Sequence, residues 1–295
     1  MKLPDRFVVE ETLGQGQFGF VCAARDLEDD RRVALKVLKA PLPAAERQRF
    51  TALQALDHPN LVRLYQAFFD ASPPFFTMSL ARGPTFVDYV RRPAATTPEE
   101  SRPRRSLPLA FGQPVQELGE SQFSALDANG LERLRSALHG LANGLGALHA
   151  AGFVHRDLSA ENVRVVEHTA IVLDYGLCAR PDDDGLDGPV GTAATMAPEQ
   201  WDGEQLTPAV DWYAVGLLLF EALTGTVPFT GTAQEVLVRK RTVGAPPPSL
   251  LVSGVPSDLD QLCTKLLSSS SERRGGLSDV LRCATPLAHS KAPHA

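Results

Sequence analysis

Cysteine is sparse in this chain of 295 residues: Cys22, Cys178, Cys263 and Cys283 form no close pair and no metal-ligand spacing. That argues against a disulfide-stapled scaffold or a cysteine metal site, and favours a reducing, cytoplasmic setting. An excess of positive charge is also missing. The net charge of −6 disfavours a general nucleic-acid or anionic-membrane partner. Long apolar runs are absent: the longest, Ala214 to Phe220, is too short to span a bilayer and reads as a buried helix. The opening MKLPDRFVVEE lacks the apolar core of a signal peptide, and no internal repeat is visible. What remains is ordinary for a globular chain, 43% apolar and 22% charged, and long enough for one large domain or two packed lobes.

Residues 6–40 alternate in strand fashion around a glycine-rich turn, and Pro41 and Pro43 end the run. AAERQRFTALQAL follows as a helix with Phe50, Leu53 and Leu56 on one face; HPN at 58–60 is a turn, and LVRLYQAFF and PFFTMSL read as strands. From about residue 91 the composition shifts to proline, serine and charge, a loop or disordered insert whose arginines, Arg91, Arg92, Arg102, Arg104 and Arg105, would either be solvated or mark a docking patch. The remainder reads as mainly helical: LERLRSALHGLANGLGALHAAG, DWYAVGLLLFEALTG and SDLDQLCTKLLSSS. PDDDGLDGP is a loop, and nothing periodic follows Cys283.

Gly14-Gln15-Gly16-Gln17-Phe18-Gly19 is a GxGxxG. Such glycines let backbone N–H groups approach phosphate, but they also simply make turns. A dinucleotide fold needs a helix next; here a second strand follows instead, and then VALK, ending in Lys36. An ammonium in an apolar strand requires an anionic partner, which nucleotide phosphates would supply. Further on, His155-Arg156-Asp157 follows a long amphipathic helix, Asn162 comes five residues after Asp157, and a short two-stranded pattern ends in Asp174-Tyr175-Gly176. This order offers one carboxylate to orient a hydroxyl, plus an amide oxygen and a second carboxylate for Mg²⁺.

With these motifs in this order, roughly residues 6–285 resemble a bacterial eukaryotic-like Ser/Thr protein kinase domain, of the type found in large multidomain proteins. The resemblance implies an α+β, bilobal fold: an N-lobe over 1–80 with a small antiparallel sheet and one main helix, a mostly helical C-lobe over 81–285 with a Pro/Arg-rich insert at about 91–128, and a tail over 286–295. It implies Lys36, Asp157, Asn162 and Asp174 as catalytic residues, with Asn162 and Asp174 also holding Mg²⁺. ATP would lie against Leu13, Gly14, Gly16, Gly19, Val21, Ala34, Lys36, the gatekeeper Met78, and the backbone of Ser79 and Ala81. GTAATMAPEQ resembles the end of the family's activation segment, a platform for a protein substrate. Thr192 sits like the family's Ser/Thr-specificity threonine. Asp211 would brace the HRD backbone, and Arg274 would pair with Glu199. Flanking domains in a longer polypeptide are expected.

The chain departs from the pattern in three places. The family's helix glutamate, nine residues before His58, falls on Arg49, so Arg49 is expected to point away from Lys36 or the helix to rotate and bring Glu46 to it. Ser159 replaces the catalytic-loop lysine, removing a positive charge near the transferring phosphoryl group. Tyr175 replaces phenylalanine in DFG, a mild change. Between Gly176 and Gly191 there is no Ser, Thr or Tyr to phosphorylate; Asp182, Asp183, Asp184 and Asp187 stand there, either as a phosphate mimic or as a solvated acidic loop. The leading function is a Mg-ATP-dependent Ser/Thr protein kinase, with activity reduced by Arg49 and Ser159. A pseudokinase serving as a nucleotide-binding or scaffolding module is the alternative, and a small-molecule phosphotransferase of kinase-like fold ranks third.

Overall fold

The structure, a computed structural model, describes residues 4–16, 19–92, 124–174, 178–181, 193–201 and 206–285. Strands β1 (Phe7–Gly16), β2 (Gly19–Asp26), β3 (Arg31–Leu38), β4 (Leu64–Phe68) and β5 (Phe75–Ser79) form one antiparallel sheet in the order β1-β2-β3-β5-β4. Helix α1 (Ala44–Gln54) packs Phe50 and Leu53 against it. The two-residue periodicity of β3 gives it two different faces. Val33, Leu35 and Val37 point into a small cluster with Cys22, Ala24 and Phe75, whereas Ala34 and Leu38 belong to the large core that continues into the helical part. Lys36 shares the second face, so its side chain is aimed at the rest of the molecule.

The helical part holds α2 (Phe86–Arg91), α3 (Ala128–Ala150), α4 (Pro198–Trp201), α5 (Ala209–Thr224), α6 (Ala233–Thr242), α7 (Ser257–Leu266) and α8 (Leu277–Ala284). The long α3 starts on Asp127, whose side chain accepts the Gly130 N–H at 2.6 Å, and its chain turns off at the left-handed Gly152. Helix α5 is buried from Val210 to Thr224, so the greasy run at 214–220 is a core helix. Among the described residues no helix is long and apolar enough to cross a membrane. This division into a five-stranded antiparallel sheet and a helical body is the expected α+β, bilobal architecture.

Two details fix where the site will lie. The HPN turn is pressed onto α3: a Cβ added at Gly144 would come within 2.6 Å of the Asn60 carbonyl oxygen. Asn60 also donates from Nδ2 to the Ala170 carbonyl at 2.8 Å and accepts the Val172 N–H at 2.9 Å. The turn after α1 is thereby tied to the hairpin of β6 (Val163–Val166) and β7 (Thr169–Val172). That hairpin turns through Glu167 and His168, both at positive φ (47° and 67°), as a two-residue turn matching strand twist requires.

The reading of the 91–128 insert changes at its edges. Arg91 is not part of a solvated patch: its guanidinium donates to the Ala222 carbonyl and to the Ser124 carbonyl, both at 2.7 Å, clamping α2 to α5 and to the start of the segment that leads into α3. Residues 93–123, with Arg102, Arg104 and Arg105, lie outside the described residues, as does the tail from 286.

Candidate active site

Register brings the site together. In the sheet, Val21 lies opposite Lys36, Lys36 opposite Phe76, and Ala34 opposite Met78. Val21, Ala34, Lys36 and Met78 therefore share one face, and Ala34 and Met78 are buried there. Gly14 pairs with Val21 on the neighbouring strand, and Leu13 beside it is exposed. Gly16 and Gly19 close the β1–β2 hairpin. Gly19 has a packing reason to be glycine, because a Cβ there would collide with the Val37 carbonyl oxygen. At the end of β5 the Ser79 N–H donates to the Arg63 carbonyl at 2.8 Å, so that group is committed inside the sheet; half-buried Leu80 and Ala81 lead on toward α2.

The second half of the site comes from the β6–β7 hairpin and the loop before it. Val163 pairs with Val172, which places the residues flanking the strands, Asn162 and Leu173, side by side; the Leu173 N–H donates to the Asn162 carbonyl at 2.8 Å. Asp174 follows at φ 59°, a left-handed value unusual for a residue other than glycine. The turn sends its carboxylate to the Lys36 ammonium, and the two form an ion pair across the parts of the molecule. Lys36 is buried and Asp174 about one-third exposed, at 5% and 35% of their side-chain surface. Asn162 donates from Nδ2 to the Asp157 carbonyl at 2.8 Å, which orients its amide and links Asp157 to the same cluster. Burial pushes the Asp157 carboxyl above the usual carboxylate range; Asp174 and Glu161 add to this, and His155 and Lys36 oppose it.

The loop carrying Asp157 is pinned from below. Asp211, buried at the start of α5, accepts the His155 and Arg156 N–H groups, each at 2.8 Å, and His149 Nε2 at 2.7 Å. Burial alone would raise its pKa, but these hydrogen bonds win and hold it below the ordinary value. The His155 ring lies 2.8 Å from the Leu173 carbonyl, joining the loop to the chain between β7 and Asp174. Arg156 is held at φ 70°.

A family model described as the protein kinase domain matches residues 7–284. The chain belongs to the protein kinase family. It is 28% identical to the serine/threonine-protein kinase PknB of Mycobacterium tuberculosis over 99% of this chain and 44% of that protein. It is 30% identical to the DNA damage-responsive serine/threonine-protein kinase RqkA of Deinococcus radiodurans over 92% of this chain and 38% of that one. A probable PknB of Bifidobacterium longum matches at 28% over 91% of this chain and 37% of its own length. The chain thus spans less than half the length of these relatives.

Set in a kinase domain, the remaining contacts take on positions. The bidentate Arg274–Glu199 pair, with Nη2 to Oε2 at 2.9 Å, is buried and anchors α4 to the segment before α8, as the resemblance leads one to expect. The brace from Asp211 to the HRD backbone is likewise present. Helix α1 departs from the expectation for Glu46. That carboxylate does not rotate toward Lys36 but lies 3.7 Å from Arg49 on its own helix, and the ammonium's carboxylate partner is Asp174. An i,i+3 spacing makes the intrahelical pairing the shorter reach.

Sequence reasoning missed two residues here. Gln200, next to Glu199, accepts the Ala197 N–H at 2.8 Å and donates to the Arg156 carbonyl at 3.0 Å, tying the start of α4 to the loop that carries Asp157. His149 was concealed in the apolar rhythm of α3, where a polar residue at a core-facing position was the available signal. Tyr175, Gly176, Thr192 and Asp182, Asp183, Asp184 and Asp187 lie outside the described residues.

Proposed function

We propose that this domain is a serine/threonine protein kinase that transfers the γ-phosphoryl group of ATP to protein hydroxyls, with an N-lobe over 1–80 and a C-lobe over 81–285. The observation that carries the reading is the convergence of Lys36, Asp157, Asn162 and Asp174, delivered by three separate stretches of chain, at one cluster. Family membership supports it.

The residues fit a bound Mg²⁺. Among the described residues no group of three or more His, Cys, Asp or Glu side chains would cage a metal alone. Mg²⁺ prefers one or two protein oxygens with phosphates and water completing its shell. Asp174 would offer a carboxylate and Asn162 its amide oxygen, the Nδ2 of that amide being engaged by the Asp157 carbonyl. When bound, the ion would neutralise charge on the β- and γ-phosphates. Lys36 would hold phosphate from the opposite side. Asp157, half-buried with a raised pKa, would orient the acceptor hydroxyl and take up its proton. Leu13, Val21, Ala34 and Met78 would enclose the adenine. With its N–H committed to Arg63, Ser79 would contribute its carbonyl, and Ala81 its backbone beyond it. Gly14, Gly16 and Gly19 would let the hairpin backbone approach the phosphates.

Ser159 and Arg49 supply no substitute for the missing charges, so the enzyme is proposed to be slow. The same two residues favour the second reading, a nucleotide-binding pseudokinase. Four unbridged, buried cysteines support a cytoplasmic site of action, and the longer relatives support flanking domains. Radiolabelled ATP with a generic protein substrate, beside an Asp174→Ala control, separates the readings. Label transfer that the control abolishes supports the kinase. Mg-ATP stabilisation in a thermal shift without transfer supports the pseudokinase.

A further inference from the structure

Helix α6 places one cation where a charge is least at home. Lys240 is fully buried, and its Nζ donates to the carbonyl oxygens of Ala193 at 2.8 Å, Ala194 at 2.9 Å and Met196 at 2.6 Å. The faces of Tyr213, from α5, and Phe229 lie 5.3 and 5.8 Å from the ammonium. Three N–H donors thus meet three acceptors inside a partly aromatic wall. Burial lowers the pKa to about 7.

A lysine here is a poor choice for stability alone, since a buried charge is matched or beaten by a well-packed apolar side chain. What it does is set a backbone. Three carbonyls within four residues are turned inward to a single point. In a trans peptide the N–H of the next residue points the opposite way, so the Ala194 N–H is turned outward on an exposed residue. The Ala197 N–H is taken by Gln200, whose own amide reaches the Arg156 carbonyl in the catalytic loop. Glu199, two residues on, is fixed by Arg274. The stretch 193–200 is therefore held at three points, and Lys240 holds three carbonyls of its first half.

We propose that Lys240 is a positioning residue for the protein acceptor: its ammonium shapes the 193–196 backbone into the seat on which the chain around the phosphorylated hydroxyl docks, at a fixed offset from Asp157. This rests on the kinase reading and goes beyond it by assigning acceptor binding to a side chain in α6 that touches neither ATP nor the acceptor. The prediction is a selective loss.

The test compares wild type with Lys240→Met, which keeps the stem and removes the donors, and Lys240→Gln, which keeps two neutral donors. With dephosphorylated casein as acceptor, Lys240→Met is expected to raise the casein KM by about tenfold, as small misplacements of a docking surface do, while the ATP KM holds. Lys240→Gln should fall between. Hydrogen exchange of the amides at 193–197 should quicken in both variants, and that readout needs no turnover. An unchanged casein KM with unchanged exchange overturns the proposal. So does a proportional fall in every kinetic constant and in melting temperature, the mark of a merely structural lysine. If Lys240→Met does not fold, Lys240→Gln is read by the same criteria. If wild type itself shows no transfer, the kinase reading fails, and exchange alone then decides whether Lys240 shapes this backbone.

Discussion

Asp174→Asn removes the carboxylate that faces the buried Lys36 ammonium and leaves a side chain of the same shape. Stranding one member of a fully buried pair costs roughly 3–5 kcal/mol. Here the Asp174 side chain is 35% exposed, so water reaches that side and part of the penalty is screened. A loss of about 2 kcal/mol is the reasoned figure. Lys36→Met removes the ammonium and leaves the one-third-exposed Asp174 without that partner, at a cost of about 1 kcal/mol or less. The double variant has no stranded charge and is expected to be more stable than Asp174→Asn alone, with a coupling energy of about 1–2 kcal/mol. Urea unfolding of the four proteins at pH 7, without nucleotide, measures it, and for a domain of this size Asp174→Asn should melt about 4 °C below wild type. Moderate salt should leave the coupling largely intact, because the lysine side of the pair is buried. Additive effects, with a coupling below about 0.5 kcal/mol, would refute the inter-lobe pair and with it the geometry from which the site was built.

Asp157→Asn should abolish transfer yet raise stability at pH 7. A folded-state pKa above the unfolded value means that ionised Asp157 opposes folding at neutral pH, and the difference should vanish once pH falls below the ordinary carboxylate range, where both states are protonated. For the same reason the acid limb of the wild-type rate profile should lie above that range, and a limb within it would contradict the role given to Asp157. Ser159→Lys restores a cation to the catalytic loop and should raise the single-turnover rate on the order of tenfold; no gain would show that this charge is not limiting. Arg274→Met leaves Glu199 buried without its partner and should cost roughly 3–5 kcal/mol in unfolding experiments, a loss of under about 1 kcal/mol excluding a buried pair in solution.

The parts of this fold that could be read in the sequence were those whose physics is local. Alternation gave the strands, and the glycine turn followed by a lysine-bearing strand distinguished a hairpin lid from a dinucleotide turn. The order of HRD, Asn162 and DYG indicated a hairpin between candidate site residues, and the β6–β7 register is what sets Asn162 beside Leu173, the neighbour of Asp174. Helix α6 was passed over although its start carries a capping box, Thr232 with Glu235, which is visible as T-A-Q-E. Its burial is weakly patterned, since one of its three buried residues is Lys240, and a charged residue reads as solvent-facing. Helix α8 was missed for its shortness, despite a buried face of Val280, Cys283 and Ala284. Pairings were harder than elements. That Arg91 clamps α2 to α5, and that Gln200 reaches the catalytic loop, depends on contacts between residues distant in sequence, which no local period encodes.

The partner of Lys36 shows how a missing family residue can be compensated. With arginine in place of the helix glutamate, the ammonium would be buried without an anion unless another element supplied one, and the left-handed turn at Asp174 brings that element in. One carboxylate then has two tasks in the proposed reaction, matching Lys36 before nucleotide binds and holding Mg²⁺ afterwards. These tasks would not conflict, because a bound triphosphate would carry the negative charge that Lys36 needs once Asp174 held the metal. The buried ammonium is matched throughout, which avoids the several kcal/mol that an isolated charge would cost. Under the proposed function, breaking the Lys36–Asp174 pair would subtract from the free energy of nucleotide binding. On helix α1 Glu46 lies 3.7 Å from Arg49, and the carboxylate paired with Lys36 comes from Asp174 instead.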